Sequence, residues 1–91
     1  MNLSPHFTLE ELTASNKAKA LKIDNTPPPN IIENLKALAL ALELVRSVIG
    51  KPLKISSGYR CPALNKAVGG SPTSAHTLGY AADFTVDGMT P

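Results

Sequence analysis

The feature that most constrains the fold is a long amphipathic segment in a chain of only 91 residues. Three prolines at 27–29 cannot continue a helix, and Gly50 and Pro52 end one. Between them, apolar residues recur at steps of four and three, which predicts a helix over about residues 31–49. Asn30 is its expected N-cap, with Glu33 at the third helical position. The stripe consists of Ile31, Leu35, Leu38, Leu42, Val45 and Ile49, widened by Ile32, Leu44 and Val48.

Shorter elements surround this helix. Thr8 and Glu11 have capping-box spacing, flanked by a Phe7–Leu12 staple, and a second turn is expected over 18–21. Residues 53–56 and 81–86 read as strands. A short helix should start at Pro62 and end at Gly69-Gly70. The sequence therefore predicts one α+β domain, residues 1–91, in which short helices and one long helix pack on a small antiparallel sheet.

Composition argues against several function classes. The net charge is +2, no Lys/Arg run is present, and the four aromatic residues include no Trp, so nucleic-acid binding is not expected. The tract ALALALELV is too short for membrane insertion. The N-terminus lacks a basic start and an apolar core, which predicts a chain that is cytoplasmic as synthesised. Cys61 is the single cysteine, so an internal disulfide is impossible.

The stretch SAHTLGYAAD holds His76 and, seven residues later, Asp83. Catalytic zinc sites take three protein ligands, typically from His, Asp, Glu and Cys, and a water. His76 and Asp83 are compatible with two of these ligands, and Gly79 lets the backbone turn between them. Taken alone, this spacing is a weak signal for a metal site, and it favours a surface loop histidine and a capping or edge aspartate.

Arg60 and Ser74 are the other candidate site residues. Arg60 follows a predicted strand. Its planar guanidinium could bind a substrate carboxylate or a developing oxyanion through two hydrogen bonds. It could instead pair with Asp83 or Asp87 on the surface. Ser74 could orient His76 or bond a substrate, although loop hydroxyls more often cap turns.

Residues 55–86 closely resemble zinc-dependent peptidoglycan peptidases of the D-alanyl-D-alanine carboxypeptidase type, which share the hedgehog/DD-peptidase fold. The shared pattern is Ser-Gly-Tyr-Arg at 57–60, Leu-Asn at 64–65, Gly-Gly at 69–70, and Ser-x-His-x₂-Gly-x-Ala-x-Asp at 74–83. The upstream segments FTLEEL, IDNTPP and NLKAL resemble the small phage and prophage branch, whose members include endolysins.

The resemblance implies a site and a substrate. His76 and Asp83 would be zinc ligands, Arg60 would contact the substrate carboxylate or the tetrahedral intermediate, and Ser74 would support the site. The reaction would be metal-assisted hydrolysis of a peptide bond in the peptidoglycan stem peptide. The enzyme would act on the cell wall after release from the cell.

The chain also departs from the family pattern. Relatives supply a third ligand, a histidine, and an acidic general base from a later strand, and neither is present after Asp83. Thr90-Pro91 reads as an unused helix start, which predicts a truncated, weakly active or inactive fragment. The apolar surface exposed by truncation would then favour a homodimer. The alternative is a non-catalytic peptidoglycan-binding module or pseudoenzyme that self-associates.

Overall fold

A computed structural model describes residues 1–88 of the chain. Over these residues the fold is α+β, as predicted, with four α-helices and two small antiparallel sheets. The helices are α1 (Leu9–Thr13), α2 (Asn16–Leu21), α3 (Pro29–Ile49) and α4 (Pro62–Ala67). The strands are β1 (Asn2–Ser4), β2 (Phe7–Thr8), β3 (Lys54–Ser57) and β4 (Asp83–Thr85), and a 3₁₀ turn covers Ala75–Leu78.

The N-terminal segment forms a β1–β2 hairpin that leads directly into α1. The predicted capping box is present: the Glu11 N–H donates to Thr8 Oγ1 at 3.1 Å, and the Thr8 N–H donates to Glu11 Oε1 at 3.0 Å. Phe7 and Leu12, the predicted staple, are both fully buried. The hairpin itself was not predicted, because its strands are only three and two residues long.

The long helix begins earlier than predicted. Pro28 is the N-cap of α3 and Pro29 is its first residue, and no side chain caps this end. The prediction that Asn30 is the N-cap is therefore wrong. The fixed φ of proline suits the first helical turn, where its missing N–H costs nothing, so the helix starts within the proline run. Gly50 ends α3 in the left-handed conformation, and its N–H donates to Arg46 O at 2.8 Å.

One face of α3 forms the centre of the core, as predicted. The predicted stripe is buried or half-buried along its whole length, but Leu44 and Val48 are exposed, so the stripe is narrower than expected. The core joins α3 to the N-terminal hairpin, to α1 and to the β3–β4 sheet. Its buried members are Phe7, Leu12, Ile31, Leu35, Ala39, Leu42, Leu53, Tyr59 and Val86.

Strands β3 and β4 pair antiparallel. β3 is as long as the predicted strand 53–56 but begins one residue later, and β4 is shorter than the predicted range 81–86. Ile55 lies opposite Phe84 and Ser57 opposite Asp83, with a register irregularity between them. This pairing brings the start of β4 beside the segment that leaves β3. The two halves of the sequence pattern, at 57–60 and 74–83, therefore meet at one end of the sheet.

Two further expectations concern a helix start at the C-terminal residues and the insertion of a helix into a membrane. The predicted helix start at Thr90-Pro91 lies outside the described residues. Within residues 1–88, no helix combines the length and the apolar character that crossing a membrane would require.

Candidate functional site

His76 lies in the 3₁₀ turn over Ala75–Leu78, which was not predicted from the sequence. Ser74 caps this turn, and its Oγ accepts the His76 N–H at 3.2 Å. Thr77 Oγ1 donates back to Ser74 O at 2.7 Å. Gly79 ends the turn with a φ of +76°, a conformation that favours glycine. Ser74, Thr77 and Gly79 therefore build a short ordered turn that fixes the His76 backbone.

The ring of His76 is oriented by a backbone carbonyl. Its Nδ1 lies 2.8 Å from Gly58 O. Because a carbonyl oxygen only accepts, Nδ1 carries the proton, and Nε2 of the neutral ring is left with a free lone pair. Nε2 faces Asp83 Oδ2 at 3.6 Å. The His76 side chain is only 14% exposed, so it is not a surface loop histidine, whereas Asp83 is 68% exposed.

The separation of these two atoms is longer than a hydrogen bond and is compatible both with an ion pair and with two ligands of one metal ion. A distance of 3.6 Å exceeds the usual range for an N–H···O bond. Two ligands of one tetrahedral zinc lie about 3.4 Å apart, given Zn–N and Zn–O bonds near 2.1 Å. A ligating histidine also commonly donates its other ring N–H to a carbonyl or carboxylate. In this chain, Gly58 O is the carbonyl that accepts the other ring N–H of His76.

Arg60 lies close to this pair through two contacts. Its backbone N–H donates to His76 O at 3.1 Å, and its Nη2 lies 3.4 Å from Ser74 Oγ. Among the described residues, Asp87 pairs with Lys54 at 3.0 Å, and neither Asp83 nor Asp87 forms an ion pair with Arg60. The alternative of a surface pair with an aspartate is thus not observed.

The Arg60 guanidinium retains unused hydrogen-bonding capacity. Its Nε is buried and has no partner within residues 1–88. Arg60 also lines a cavity of about 250 Å³, beside Ser57 and the α1–α2 junction. Nε itself is out of reach of a ligand, so an anion could be bound only by the other guanidinium donors. Ser74, His76 and Asp83 do not line this cavity.

Asn25 is a positioning residue that the sequence did not reveal. Its Nδ2 donates to Thr13 O at 2.9 Å and to Tyr59 O at 3.0 Å, and its Oδ1 accepts the Cys61 N–H at 2.7 Å. Asn25 therefore holds the backbone on both sides of Arg60. An asparagine shortly before a proline run also fits an ordinary turn, so its residue type alone could not have identified it.

Two glycines allow close packing around the site. A Cβ on Gly58 would lie 2.2 Å from Leu12 O, so only glycine fits beside α1. A Cβ on Gly79 would lie 3.1 Å from Ile31 Cγ2 on α3. Asn34 of α3 also donates to Leu78 O at 2.8 Å. The segments that carry His76 and Arg60 are therefore packed against α3 and α1.

The part of the chain from residue 1 to 88 contains no group of three His, Cys, Asp or Glu side chains that could hold a metal ion. The other histidine, His6, is bonded to Glu43 through Nδ1 at 2.7 Å. Cys61 caps α4, where its Sγ accepts the Leu64 N–H at 3.5 Å. The candidate centre therefore consists of the two predicted ligands, His76 and Asp83, next to Arg60 and Ser74.

Comparison with known proteins gave one match. The family model described as Peptidase M15 matches residues 5–91, which is nearly the whole chain. The comparison with curated proteins gave no match, and neither did the comparison with solved structures.

Proposed function

Because this chain belongs to the peptidase M15 family, we propose that it serves zinc-dependent hydrolysis of peptide bonds in bacterial peptidoglycan. The observation that carries the proposal is the arrangement of His76 and Asp83. His76 Nε2 and Asp83 Oδ2 are 3.6 Å apart, and Nδ1 is held by Gly58 O. This geometry supports two ligands of one zinc ion.

The roles of the residues follow from their chemistry. A bound zinc would supply an activated water and would polarise the scissile carbonyl. His76 and Asp83 would hold the ion. Arg60, whose Nη2 lies 3.4 Å from Ser74 Oγ, would bind the carboxylate of the stem peptide or stabilise the oxyanion of the tetrahedral intermediate. The substrate class would be the stem peptide of the cell wall.

Ser74 would act as a positioning residue both for zinc binding by His76 and for substrate binding by Arg60. Its Oγ accepts the His76 N–H at 3.2 Å and lies 3.4 Å from Arg60 Nη2. One hydroxyl thus connects a proposed ligand to the proposed substrate-binding cation. Loss of this hydroxyl would loosen the relative placement of the two groups.

Two protein ligands hold zinc more weakly than the three of a complete catalytic site. The sequence has two histidines, and His6 is engaged with Glu43 on α3. We therefore propose that the 91 residues on their own bind zinc weakly and have little or no peptidase activity. In this proposal, a third ligand and the general base must come from outside these residues.

Zinc binding tests the proposed centre without requiring activity. Titration of the 91-residue chain with Zn²⁺, followed by calorimetry or by competition with a chromophoric chelator, should give one weak site per chain. His76→Ala should abolish this binding, and Asp83→Asn should weaken it at least tenfold.

His6→Ala and Asp87→Asn are the matched controls, since both remove a candidate donor that the structure places in another interaction. Both variants should bind zinc like the unmodified chain. Equal loss of binding in His6→Ala and His76→Ala would place the metal elsewhere, and the absence of any binding at millimolar zinc would refute the centre.

A second candidate is a non-catalytic peptidoglycan-binding module. The specific observation in its favour is that residues 1–88 provide only two metal-ligating side chains at the site. This candidate predicts that the chain sediments with purified peptidoglycan equally well with and without a chelator. Retention that requires zinc would favour the peptidase-type site.

The finer expectations belong to the same proposal. We propose the hedgehog/DD-peptidase fold, a single domain over residues 1–91, and the phage or prophage branch of the family. The site of action would be the cell wall after release. The support for these points is the sequence pattern at 57–60 and 74–83, together with the α+β arrangement around it.

A further inference from the structure

Asn65 is the buried polar side chain of α4, and it is bonded to the loop that follows this helix. The residue is only 3% exposed. Its Nδ2 donates to Ser71 O at 2.7 Å, and its backbone carbonyl accepts the Gly70 N–H at 2.8 Å. α4 begins shortly after Arg60 and packs against the 3₁₀ turn. One short helix therefore connects the arginine to the loop that leads to His76.

The packing around the Asn65 amide requires a glycine at position 70. A Cβ on Gly70 would lie 2.1 Å from Asn65 Oδ1 and 2.8 Å from its Cγ. Gly70 is not among the described residues with a positive φ, so its backbone conformation does not itself favour glycine. The close approach of the Asn65 amide to the Gly70 Cα is therefore what excludes a larger residue.

A series of hydrogen bonds leads from the Asn65 amide to the candidate site. Ser71 O, which accepts from Asn65 Nδ2, also accepts the Ser74 N–H at 2.9 Å. A carbonyl oxygen has two lone pairs, so both bonds can form together. Ser74 Oγ then accepts the His76 N–H at 3.2 Å and lies 3.4 Å from Arg60 Nη2. Through one carbonyl, the amide thus holds the serine that contacts both His76 and Arg60.

The oxygen of the same amide indicates that Asn65 does not serve stability alone. Asn65 Oδ1 is buried and has no hydrogen-bond partner within residues 1–88. A buried acceptor without a partner lowers the stability of the folded state, and an apolar side chain of similar shape avoids this loss. What asparagine provides at this position, and leucine would not, is the donor to Ser71 O.

We propose that Asn65 is a positioning residue, which fixes Ser74 through the Ser71 carbonyl and thereby holds the turn that presents His76 to zinc. The link to zinc rests on the proposed metal centre. The anchoring of the turn is a property of the chain itself and can be measured without metal. Asn65 contacts neither zinc nor substrate in this proposal, so its loss should loosen the site without abolishing it.

Amide hydrogen exchange of the 91-residue chain, measured by NMR with a chelator present, tests the anchoring. In Asn65→Leu, the Ser74 and Thr77 amides should exchange about tenfold faster, because the bond that holds their turn to α4 is lost. Amides in the middle of α3 should exchange at unchanged rates. Urea denaturation should give an unfolding free energy equal to or above that of the unmodified chain, since the variant also removes the unpartnered Oδ1.

Asn2→Leu is the matched control, because Asn2 is exposed on β1 and lies outside the hydrogen bonds of the turn. It should leave the exchange rates of both amides unchanged. Gly70→Ala is a second variant that keeps the amide but displaces it with the new Cβ, and the same two amides should exchange faster.

Two results of the exchange experiment would overturn the proposal. One is an Asn65→Leu variant in which Ser74 and Thr77 exchange as in the unmodified chain. The other is a uniform rise of exchange across Asn65→Leu, without a selective rise at these two amides in Gly70→Ala, because it would show a purely structural role.

Zinc titration tests the link to the metal centre. Asn65→Leu should weaken the binding of Zn²⁺ by about threefold. This is less than the loss expected for a residue bonded directly to a ligand, because Asn65 acts through Ser71 and Ser74. Asn2→Leu should bind zinc like the unmodified chain.

The zinc result separates this proposal from the proposed function. Unchanged zinc affinity in Asn65→Leu, together with faster exchange of the Ser74 amide, would refute positioning for zinc. An unmodified chain that binds no zinc would instead refute the metal centre, and the exchange rates would still decide whether Asn65 anchors the turn.

Discussion

The orientation of the His76 ring depends on a glycine, Gly58. Gly58 O accepts from His76 Nδ1, and Gly58 can lie there only because its Cα packs directly against the backbone of Leu12. The next N–H, that of Tyr59, donates to Leu12 O at 2.7 Å. The proposed ligand is therefore fixed through β3 to α1, which is part of the core.

Gly58→Ala should be strongly destabilising for this reason. The new Cβ would lie 2.2 Å from a backbone oxygen that cannot rotate away, and we expect a loss of about 3 kcal/mol in the free energy of unfolding. Gly69→Ala is the control: nothing lies within 4 Å of its Cβ, and its positive φ costs about 1 kcal/mol. Urea denaturation compares the two. Similar losses for both variants would contradict the packing argument.

The candidate site residues could be named from the sequence because they belong to a local pattern. His76 and Asp83 are seven residues apart in the sequence, and Arg60 and Ser74 stand in the same pattern around them. Asn25 could not be predicted in this way, since its partners Thr13, Tyr59 and Cys61 are brought to it only by the fold. Contacts between distant segments leave no spacing signal in one sequence.

At the scale of elements, the N-terminal hairpin is attached to α3 by one carboxylate. Glu43 accepts hydrogen bonds from Ser4 Oγ at 2.6 Å and from the His6 N–H at 2.7 Å, and its Oε1 lies 2.7 Å from His6 Nδ1. Burial raises the pKa of Glu43, but the bonds from Ser4 and His6 outweigh this effect and lower the pKa from 4.5 to about 2. The ionised carboxylate therefore stabilises the folded state.

Glu43→Gln should reduce stability at neutral pH and remove a pH dependence. A carboxyl whose pKa is depressed in the folded state contributes its full stabilisation above the unfolded pKa near 4.5, and loses it as pH falls through about 2. The difference in unfolding free energy between the unmodified chain and Glu43→Gln should thus shrink between pH 4.5 and 2. Urea denaturation across this range measures it. A difference that stays constant down to pH 2 would exclude this role.

Elements with strong local signals were predicted best. The capping box at Thr8 and the end of α3 at Gly50 depend on neighbouring residues, and both are present. The start of α3 was placed wrongly at Asn30 because a proline run can either precede a helix or begin it. The exposure of Leu44 and Val48 could not be read from periodicity, since periodicity does not show how wide a face the other elements cover.

At the scale of the whole molecule, the proposal predicts that the two proposed ligands do not suffice for activity. The 91-residue chain, incubated with purified peptidoglycan and added zinc, should release no peptide products above background, because the proposed metal site would have two protein ligands among residues 1–88 instead of three. Chromatography of the soluble products measures this. Turnover that Arg60→Ala and His76→Ala each abolish would contradict the prediction and would show that these residues suffice for catalysis.

The two hydrogen bonds that join residues 58–60 to His76 have a consequence for how the chain can vary. The Arg60 N–H donates to His76 O, and His76 Nδ1 donates to Gly58 O. The segment after β3 and the 3₁₀ turn are therefore joined by two hydrogen bonds, one donated from each side. The intervening segment contains α4 and the loop after it. The two hydrogen bonds hold the two ends of this segment together. Changing the length of such a closed loop costs little entropy. The relative backbone positions of the proposed ligand and the arginine therefore do not depend on the length of this segment, although an insertion at residues 71–73 would disturb the 2.7 Å bond from Asn65 Nδ2 to Ser71 O.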